Sequence, residues 1–214
     1  MSTARDDILG RIRSALGREK LESKIRADLD ERLQRPLSSC ERPPVDDDLV
    51  RAFESGLTSV HGGFRRVEEA RLMEAVGECL AEIGAERRII AAPALEDLPW
   101  PKDWNVTFGA SKGDDRVSVT PCFAAVAETG SLVLLSGPDS PTSLNFLPEL
   151  HIVLVHPDQL VRNVEDVWPR LRAEGAPPRA VNFITGPSKT ADIEQTFEYG
   201  AHGPRSLNVI YIFA

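Results

Sequence analysis

Residues 125–138 read AVAETGSLVLLSGP, and they combine a lone carboxylate with a strongly apolar run. The run at residues 132–135 is short and continuous, which is typical of a strand buried on both faces. Gly137-Pro138 ends it. Glu128 stands among apolar and small residues, where a carboxylate needs hydrogen bonds or a cation, or else stays protonated, because an unpaired buried charge is costly. The stretch therefore predicts a core strand preceded by a turn that carries a polar group.

A second stretch, FITGPSKTAD at residues 183–192, reads as a strand, a sharp turn and the start of a helix. The backbone amides of Ser188, Lys189 and Thr190, together with the Lys189 ammonium, would point at an anion there. The alternative is a plain capped helix, in which Asp192 and Glu194 supply the negative charge themselves. Both interpretations remain open at this point.

From residue 49 onward, helical and strand patterns alternate, which predicts an α/β fold with a mostly parallel open sheet and helices on both faces. We expect four apolar runs to lie in one mainly parallel sheet, namely residues 132–135, 152–155, 181–184 and 209–212. Helices are predicted at residues 159–173 and 188–199, among others.

The chain divides into three segments by composition. Residues 1–36 form an amphipathic helical arm, residues 37–48 a proline-rich and acidic linker, and residues 49–214 the α/β domain. The arm is either a solvated helix packed on the domain or an arm that contacts a second subunit or a partner. In both cases Leu21, Ile25 and Leu29 are expected at the contact.

Composition limits the classes of partner. A net charge of -8 argues against a nucleic-acid or anionic-membrane binder, because the long-range field is repulsive. Cys40, Cys79 and Cys122 are far apart, and the four histidines lack ligand spacing, so neither a disulfide framework nor a metal site is expected. No apolar run has the length of a membrane span, and cytoplasm is the expected location.

Two single residues invite a chemical role. Glu128 is either a general base or nucleophile with a raised pKa, or a carboxylate that ties down neighbouring backbone amides. His202 lies in a glycine-rich turn, GAHGP at residues 200–204, where a cleft or surface role is plausible.

Four segments together resemble a known family in order and spacing. They are AETGS at residues 127–131, LP at 147–148 followed by HIV at 151–153, GPSKTADIE at 186–194, and HGP at 202–204. They resemble the lactate utilization protein C family, which is defined by the LUD domain, over roughly residues 49–214. Phe123 is a departure, because relatives often have Asp there.

The resemblance implies a fold like that of ribose-5-phosphate isomerase, glucosamine-phosphate deaminase and the CoA transferases. It also implies a role in oxidising L-lactate to pyruvate with two iron–sulfur partner proteins, which would hold the clusters while this chain binds no cofactor. A homo-oligomer formed through the arm fits the same expectation.

Carried onto this sequence, the motifs make Glu128 and His202 the candidate catalytic residues. The candidate substrate or anion-binding residues are Thr129, Gly130, Gly186, Ser188, Lys189, Thr190 and Asp192. We expect Glu128 and the Ser188-Lys189-Thr190 turn to lie across one cleft at the carboxyl edge of the sheet, with a small carboxylate or phosphate between them. The alternatives are a free-standing isomerase-like or transferase-like enzyme on a small phosphorylated or CoA-linked acid, and a non-catalytic assembly subunit.

Overall fold

The computed structural model describes residues 4–17, 22–34, 42–191 and 197–213, and the chain divides into two units, Met1–Arg42 and Pro43–Ala214. Within those ranges the helices are α1 (Ala4–Ala15), α2 (Ser23–Gln34), α3 (Leu49–Ser59), α4 (Leu72–Glu82) and α5 (Val167–Ala173). The strands are β1 (Gly63–Glu68), β2 (Arg88–Ala91), β3 (Asn105–Phe108), β4 (Val117–Pro121), β5 (Ala124–Val126), β6 (Ser131–Leu135), β7 (Leu150–Val155), β8 (Leu160–Val161), β9 (Val181–Ile184), β10 (Lys189–Ala191), β11 (Phe197–Tyr199) and β12 (Ser206–Phe213).

The first unit contains α1 and α2, as the amphipathic pattern predicted. The apolar side chains of Ile8, Ile12, Ile25 and Leu29 are exposed. Leu21, one of the residues expected at a contact, lies outside the described residues. Docking of the arm therefore stays a prediction.

The second unit is built on a six-stranded sheet with the order β1-β12-β7-β4-β2-β3. Every neighbouring pair in it is parallel. Strands β7 and β12 are almost wholly buried, which fits their largely apolar sequences. The prediction of a mostly parallel open sheet in an α/β fold is confirmed.

A second sheet with the order β8-β5-β6-β9 corrects one expectation. It contains the apolar runs at residues 132–135 and 181–184, which were expected in the main sheet, and β6 is antiparallel to both β5 and β9. The reason is the length of the connection. Residues 127–130 alone separate β5 from β6, and so short a link makes a hairpin, whereas a parallel pair needs a long crossover.

Helices and the second sheet cover the two faces of the main sheet. Alternate residues of β7 belong to different cores, because successive side chains of a strand point to opposite faces. Ile152 and Leu154 pack with α4, whereas Val153 and Val155 pack with α3 and the inner face of the second sheet. Val167 of α5 packs on the outer face of that sheet.

A polar pair is enclosed between β4 and β7. The Nε2 atom of His151 lies 2.8 Å from Oγ1 of Thr120, and both side chains are fully buried. Burial lowers the pKa of His151 to about 3, because the charged imidazolium would lose its hydration. His151 is therefore neutral in the folded protein at physiological pH.

Two predicted helices differ from what the structure shows. In residues 159–173 only α5 is an α-helix, and the preceding β8 pairs with β5. In residues 188–199 the described ends form the antiparallel strands β10 and β11. β-Branched Thr190 and the aromatic residues Phe197 and Tyr199 favour strands, and this preference outweighs the helical spacing on which the prediction rested.

Candidate functional site

The AETGS and GPS motif segments both pack against helix α3. The side chain of Asp48 accepts a hydrogen bond from the Arg51 amide at 3.0 Å and so caps the start of the helix. Phe53 and Leu57 of α3 are fully buried. The helix is therefore held rigidly in the core beneath two tight turns.

The first turn is the AETGS segment between β5 and β6. Gly130 has φ +65°, and a Cβ atom there would lie 2.2 Å from the Leu57 nitrogen. A Cβ atom at Gly56 would likewise lie 2.7 Å from the Gly130 nitrogen. Glycine is required on both sides because the two backbones touch.

The second turn is the GPS segment after β9. Gly186 has φ +77°, and a Cβ atom there would lie 2.7 Å from Cγ2 of Val60, at the end of α3. A chain of hydroxyls joins the two turns: Oγ of Ser131 lies 2.7 Å from Oγ1 of Thr129 and 2.5 Å from Oγ1 of Thr185. The motif residues Thr129, Gly130 and Gly186 are thus brought together along one helix.

The HGP turn packs against the GPS turn. The Ser188 amide donates to the Pro204 carbonyl at 2.8 Å, and the Gly200 amide donates to the Ser188 carbonyl at 3.1 Å. A Cβ atom at Gly203 would be 3.2 Å from Cβ of Ser188. His202 is exposed at the tip of this turn. The HGP turn that carries His202 therefore lies beside the Ser188 segment.

The expected helix start at Ser188 is wrong. Lys189 and Thr190 pair with Tyr199 and Glu198 in a β-ladder, and the Ser188 amide is already bonded to Pro204. An anion site made of a helix N-terminus is thus not formed there. Lys189 is exposed, with Nζ 5.8 Å from the centre of the Tyr199 ring, and Asp192 lies outside the described residues.

The side chain of Glu128 accepts hydrogen bonds from groups that begin a turn. Its Oε2 atom accepts hydrogen bonds from Nδ2 of Asn163 at 3.1 Å and from the Val164 amide at 3.2 Å. Val164 begins a 3₁₀ turn, Val164–Asp166, that leads into α5. Of the two interpretations of Glu128, the geometry matches the carboxylate that ties down a backbone amide.

The opening beside Glu128 does not reach the other motifs. It has a volume of about 550 Å³, and it is lined by Pro44, Val45, Asp46, Arg51, Ala52, Ser55, Gly56, Ala127 and Glu128. None of residues 186–190 and none of the HGP turn lines it. Glu128 and Ser188 thus belong to different surroundings, although their turns are neighbours on α3.

Another opening lies between the end of α3, Pro187 of the GPS segment and the start of β12, and we call it the Tyr199 cleft. Its volume is about 530 Å³, and it is lined by His61, Gly62, Gly63, Glu82, Ile83, Pro187, Tyr199, Arg205, Ser206, Leu207 and Asn208. A smaller opening of about 340 Å³ shares Tyr199 and Arg205 with it. Gly63 and Ser206 begin β1 and β12, so the cleft lies at the amino edge of the main sheet rather than the expected carboxyl edge.

His61 enters the Tyr199 cleft from a strained backbone. In the described part of the chain it is the one non-glycine residue with a positive φ, +70°. Its amide donates to the Thr58 carbonyl and the Gly62 amide donates to the Leu57 carbonyl, each at 3.0 Å, so His61 holds the helix-ending position that glycine usually takes. The imidazole stands edge-on to the Tyr199 ring, with ring centres 6.2 Å apart.

Sequence reasoning missed His61, Tyr199 and Arg205. Arg205 directly follows the HGP motif, and His61 precedes the helix-breaking pair Gly62-Gly63, so both carried a positional signal. Tyr199 carried none, because its position depends on the β10–β11 hairpin. Phe123, which departs from the family pattern, is half-buried, and Cζ of the Arg170 guanidinium lies 5.4 Å from the centre of its ring.

Within the part of the chain that the structure describes, no group of three or more His, Cys, Asp and Glu side chains is placed to hold a metal ion. No helix in the same described ranges is long and apolar enough to cross a bilayer. The thiols of Cys79 and Cys122 are buried, and burial raises the pKa of Cys79 to about 11 and that of Cys122 to about 12. Neither is a reactive thiolate at neutral pH.

Comparison with known proteins agrees with the motifs. The LUD domain family matches residues 115–212. Lactate utilization protein C of an Exiguobacterium species is 27% identical and covers 98% of this chain and 96% of its own length. Lactate utilization protein C of Deinococcus radiodurans is 29% identical over 83% of this chain and 82% of its own.

One solved structure is similar in fold. It is a DUF162 family protein from Deinococcus radiodurans, with a TM-score of 0.61 and 24% identity, which covers 80% of this chain and 100% of that one. At that identity the likeness supports the architecture alone. Taken with the motif segments, these comparisons show that residues 115–212 match the LUD domain and that the chain is similar along most of its length to proteins named lactate utilization protein C.

Proposed function

We propose that the protein is a component of an L-lactate utilization system and supports the oxidation of L-lactate to pyruvate. The observation that carries the proposal is the similarity to proteins named lactate utilization protein C along 98% of the chain. The geometry supports it, because the motif segments are not scattered. They form one connected frame on α3 through Gly130, Gly186 and Ser188.

The chemistry requires an electron acceptor outside this chain's own cysteines. Oxidising a 2-hydroxy acid to a 2-keto acid removes a hydride equivalent and a proton. Iron–sulfur clusters are usually held by four cysteine thiolates, whereas this sequence has three cysteines, and Cys79 and Cys122 lie in different cores. We therefore place the clusters in iron–sulfur partner proteins.

Growth of the source organism tests the proposal. In a strain without its other lactate dehydrogenases, deletion of this gene is expected to abolish growth on L-lactate and to leave growth on pyruvate unchanged. Restoring the gene should restore growth. Undiminished growth of the deletion strain on L-lactate would refute the role.

Affinity purification tests the partners separately. A tagged chain, purified without oxygen from lactate-grown cells, should bring down proteins with the visible absorption of iron–sulfur clusters. Purification of the tagged chain alone, or with partners that lack iron and sulfide, would contradict the partner assignment while leaving the growth result standing.

A further inference from the structure

The Tyr199 cleft is built from parts that are distant in sequence. The end of α3 supplies His61, the segment after β9 supplies Pro187, the turn before β12 supplies Arg205, and β12 itself supplies Ser206 and Asn208. Its volume of about 530 Å³ falls in the range of small-molecule sites. Neither Glu128 nor the 3₁₀ turn that Glu128 caps takes part in it.

The backbone at His61 argues for a role of the imidazole. A left-handed conformation costs a side-chain-bearing residue roughly 1–2 kcal/mol, and glycine would avoid this cost. Strained residues of this kind cluster at ligand-binding positions, where the side chain is needed. Here the strain holds an imidazole against the ring of Tyr199, at the wall of a cleft.

Asn208 lines the cleft, and the absence of a side chain at Gly63 leaves space for its amide group. It is only 7% exposed, and a Cβ atom at Gly63 would lie 1.7 Å from its Oδ1 atom, so the glycine makes room for the amide. Oδ1 accepts a hydrogen bond from Nη1 of Arg65 at 3.3 Å. That hydrogen bond occupies one lone pair of the oxygen, and the amide N–H groups of Asn208 are donors.

The charges that line the cleft favour an anion. Glu82, the carboxylate that lines it, is ion-paired with Arg65. Arg205 also lines the cleft and forms no ion pair with a described residue. The neighbouring opening, which Arg205 lines as well, carries Asp114, Asp115 and Glu149. There Glu149 is paired with Arg116 at 2.9 Å, and Asp115 accepts from the Ser111 hydroxyl.

We propose that the Tyr199 cleft binds the carboxylate of a short organic acid. Arg205 is the anion-binding side chain, because a guanidinium matches a carboxylate with two parallel hydrogen bonds. His61 meets the neighbouring hydroxyl or keto oxygen, since an imidazole can donate or accept a hydrogen bond. The choice of a 2-hydroxy or 2-keto acid rests on the proposed lactate role, whereas the anion site itself rests on the geometry.

Calorimetry with the purified full chain tests the site. The probes are L-lactate, pyruvate and inorganic phosphate, and the variants are Arg205→Met and, as a matched control, Arg172→Met on the exposed last turn of α5. The wild type and the control should bind L-lactate or pyruvate, and Arg205→Met should bind it about tenfold or more weakly, as expected for a lost charge-assisted hydrogen bond.

His61→Gly separates a binding role from a structural one. Glycine relieves the left-handed strain, so the melting temperature should stay level or rise while carboxylate binding weakens. Equal binding by wild type and His61→Gly would remove His61 from the site.

The site as a whole would be overturned by three results: no binding of either acid, equal binding by wild type and Arg205→Met, or binding of phosphate in place of the acids. None of these outcomes depends on the growth experiment. A failed lactate role therefore remains distinguishable from a failed site.

Discussion

Replacing Gly130 with Ala perturbs the contact on which the arrangement of the motifs depends. Gly130 has φ +65°, and the new methyl group would lie 2.2 Å from the Leu57 nitrogen and 2.4 Å from the Gly56 carbonyl carbon. Both neighbours are backbone atoms of α3, so no side chain can rotate away. Relief requires the turn and the helix to separate, which would open the core around Leu57 and Leu132.

Gly84→Ala provides the matched control. Gly84 has φ +59°, nearly that of Gly130, but no atom lies within 4 Å of the position its Cβ would take. Each variant pays the left-handed cost of roughly 1–2 kcal/mol, and each gains the same reduction in unfolded-state entropy. Gly130→Ala adds overpacking, typically about 1–3 kcal/mol.

Urea denaturation followed by circular dichroism measures both variants. We expect Gly130→Ala to lower the free energy of unfolding by about 1–3 kcal/mol more than Gly84→Ala does. If both variants lost the same free energy of unfolding, the AETGS turn would not rest on the backbone of α3.

Three further predictions concern other parts of the chain. The pKa of His151 is about 3 in the folded protein and 6.5 in the unfolded chain, so the unfolded chain binds an extra proton as the pH falls below 6.5. Between about pH 7.5 and about pH 5 the wild type should therefore lose about 2 kcal/mol of its free energy of unfolding, and the His151→Asn variant should lose clearly less. Glu128→Ala should cost about 1–3 kcal/mol by leaving the Val164 amide unbonded, whereas Glu128→Gln keeps an acceptor and should cost little in denaturation experiments. Deleting residues 1–36 should change thermal stability, oligomeric mass or partner binding, and no change in any of the three would make the arm a passive tail.

Much of the architecture was predictable because apolar patterning is a local property. The apolar runs at residues 152–155 and 209–212 do lie in the main parallel sheet, within Leu150–Val155 and Ser206–Phe213. Their unbroken apolar runs are typical of strands buried on both faces. The start of α3 carries a local signal of the same kind, because the side chain of Asp48 caps its first turn.

Sheet membership was not predictable from the same patterns. A buried strand of a parallel sheet and a buried strand of an antiparallel hairpin are equally apolar, so residues 132–135 were expected in the wrong sheet. The length of the preceding connection held the missing information. Residues 127–130 are too few for a crossover, and this observation would have placed β6 beside β5.

The relative placement of the motif segments was predictable only in part. Motif spacing identified the GPS and HGP segments, and the structure does bring Ser188 and His202 into one region. It could not show that Ser188 precedes a strand, which removes the helix that the anion site required. It also could not find Tyr199, because residues 188–199 were predicted as a helix, whereas Tyr199 lies in the β10–β11 hairpin with its ring against His61.

The most direct test of the account compares two variants of the chromosomal gene during growth on L-lactate as the carbon source. We assign ligand binding to Arg205 in the Tyr199 cleft and a structural role to Glu128 beside Asn163. Arg205→Met should therefore slow or abolish growth, and Glu128→Gln, which keeps a hydrogen-bond acceptor, should grow as the wild type does, with both proteins present at normal levels. Normal growth with Arg205→Met and none with Glu128→Gln would contradict the account, and would return the chemistry to the Glu128 carboxylate.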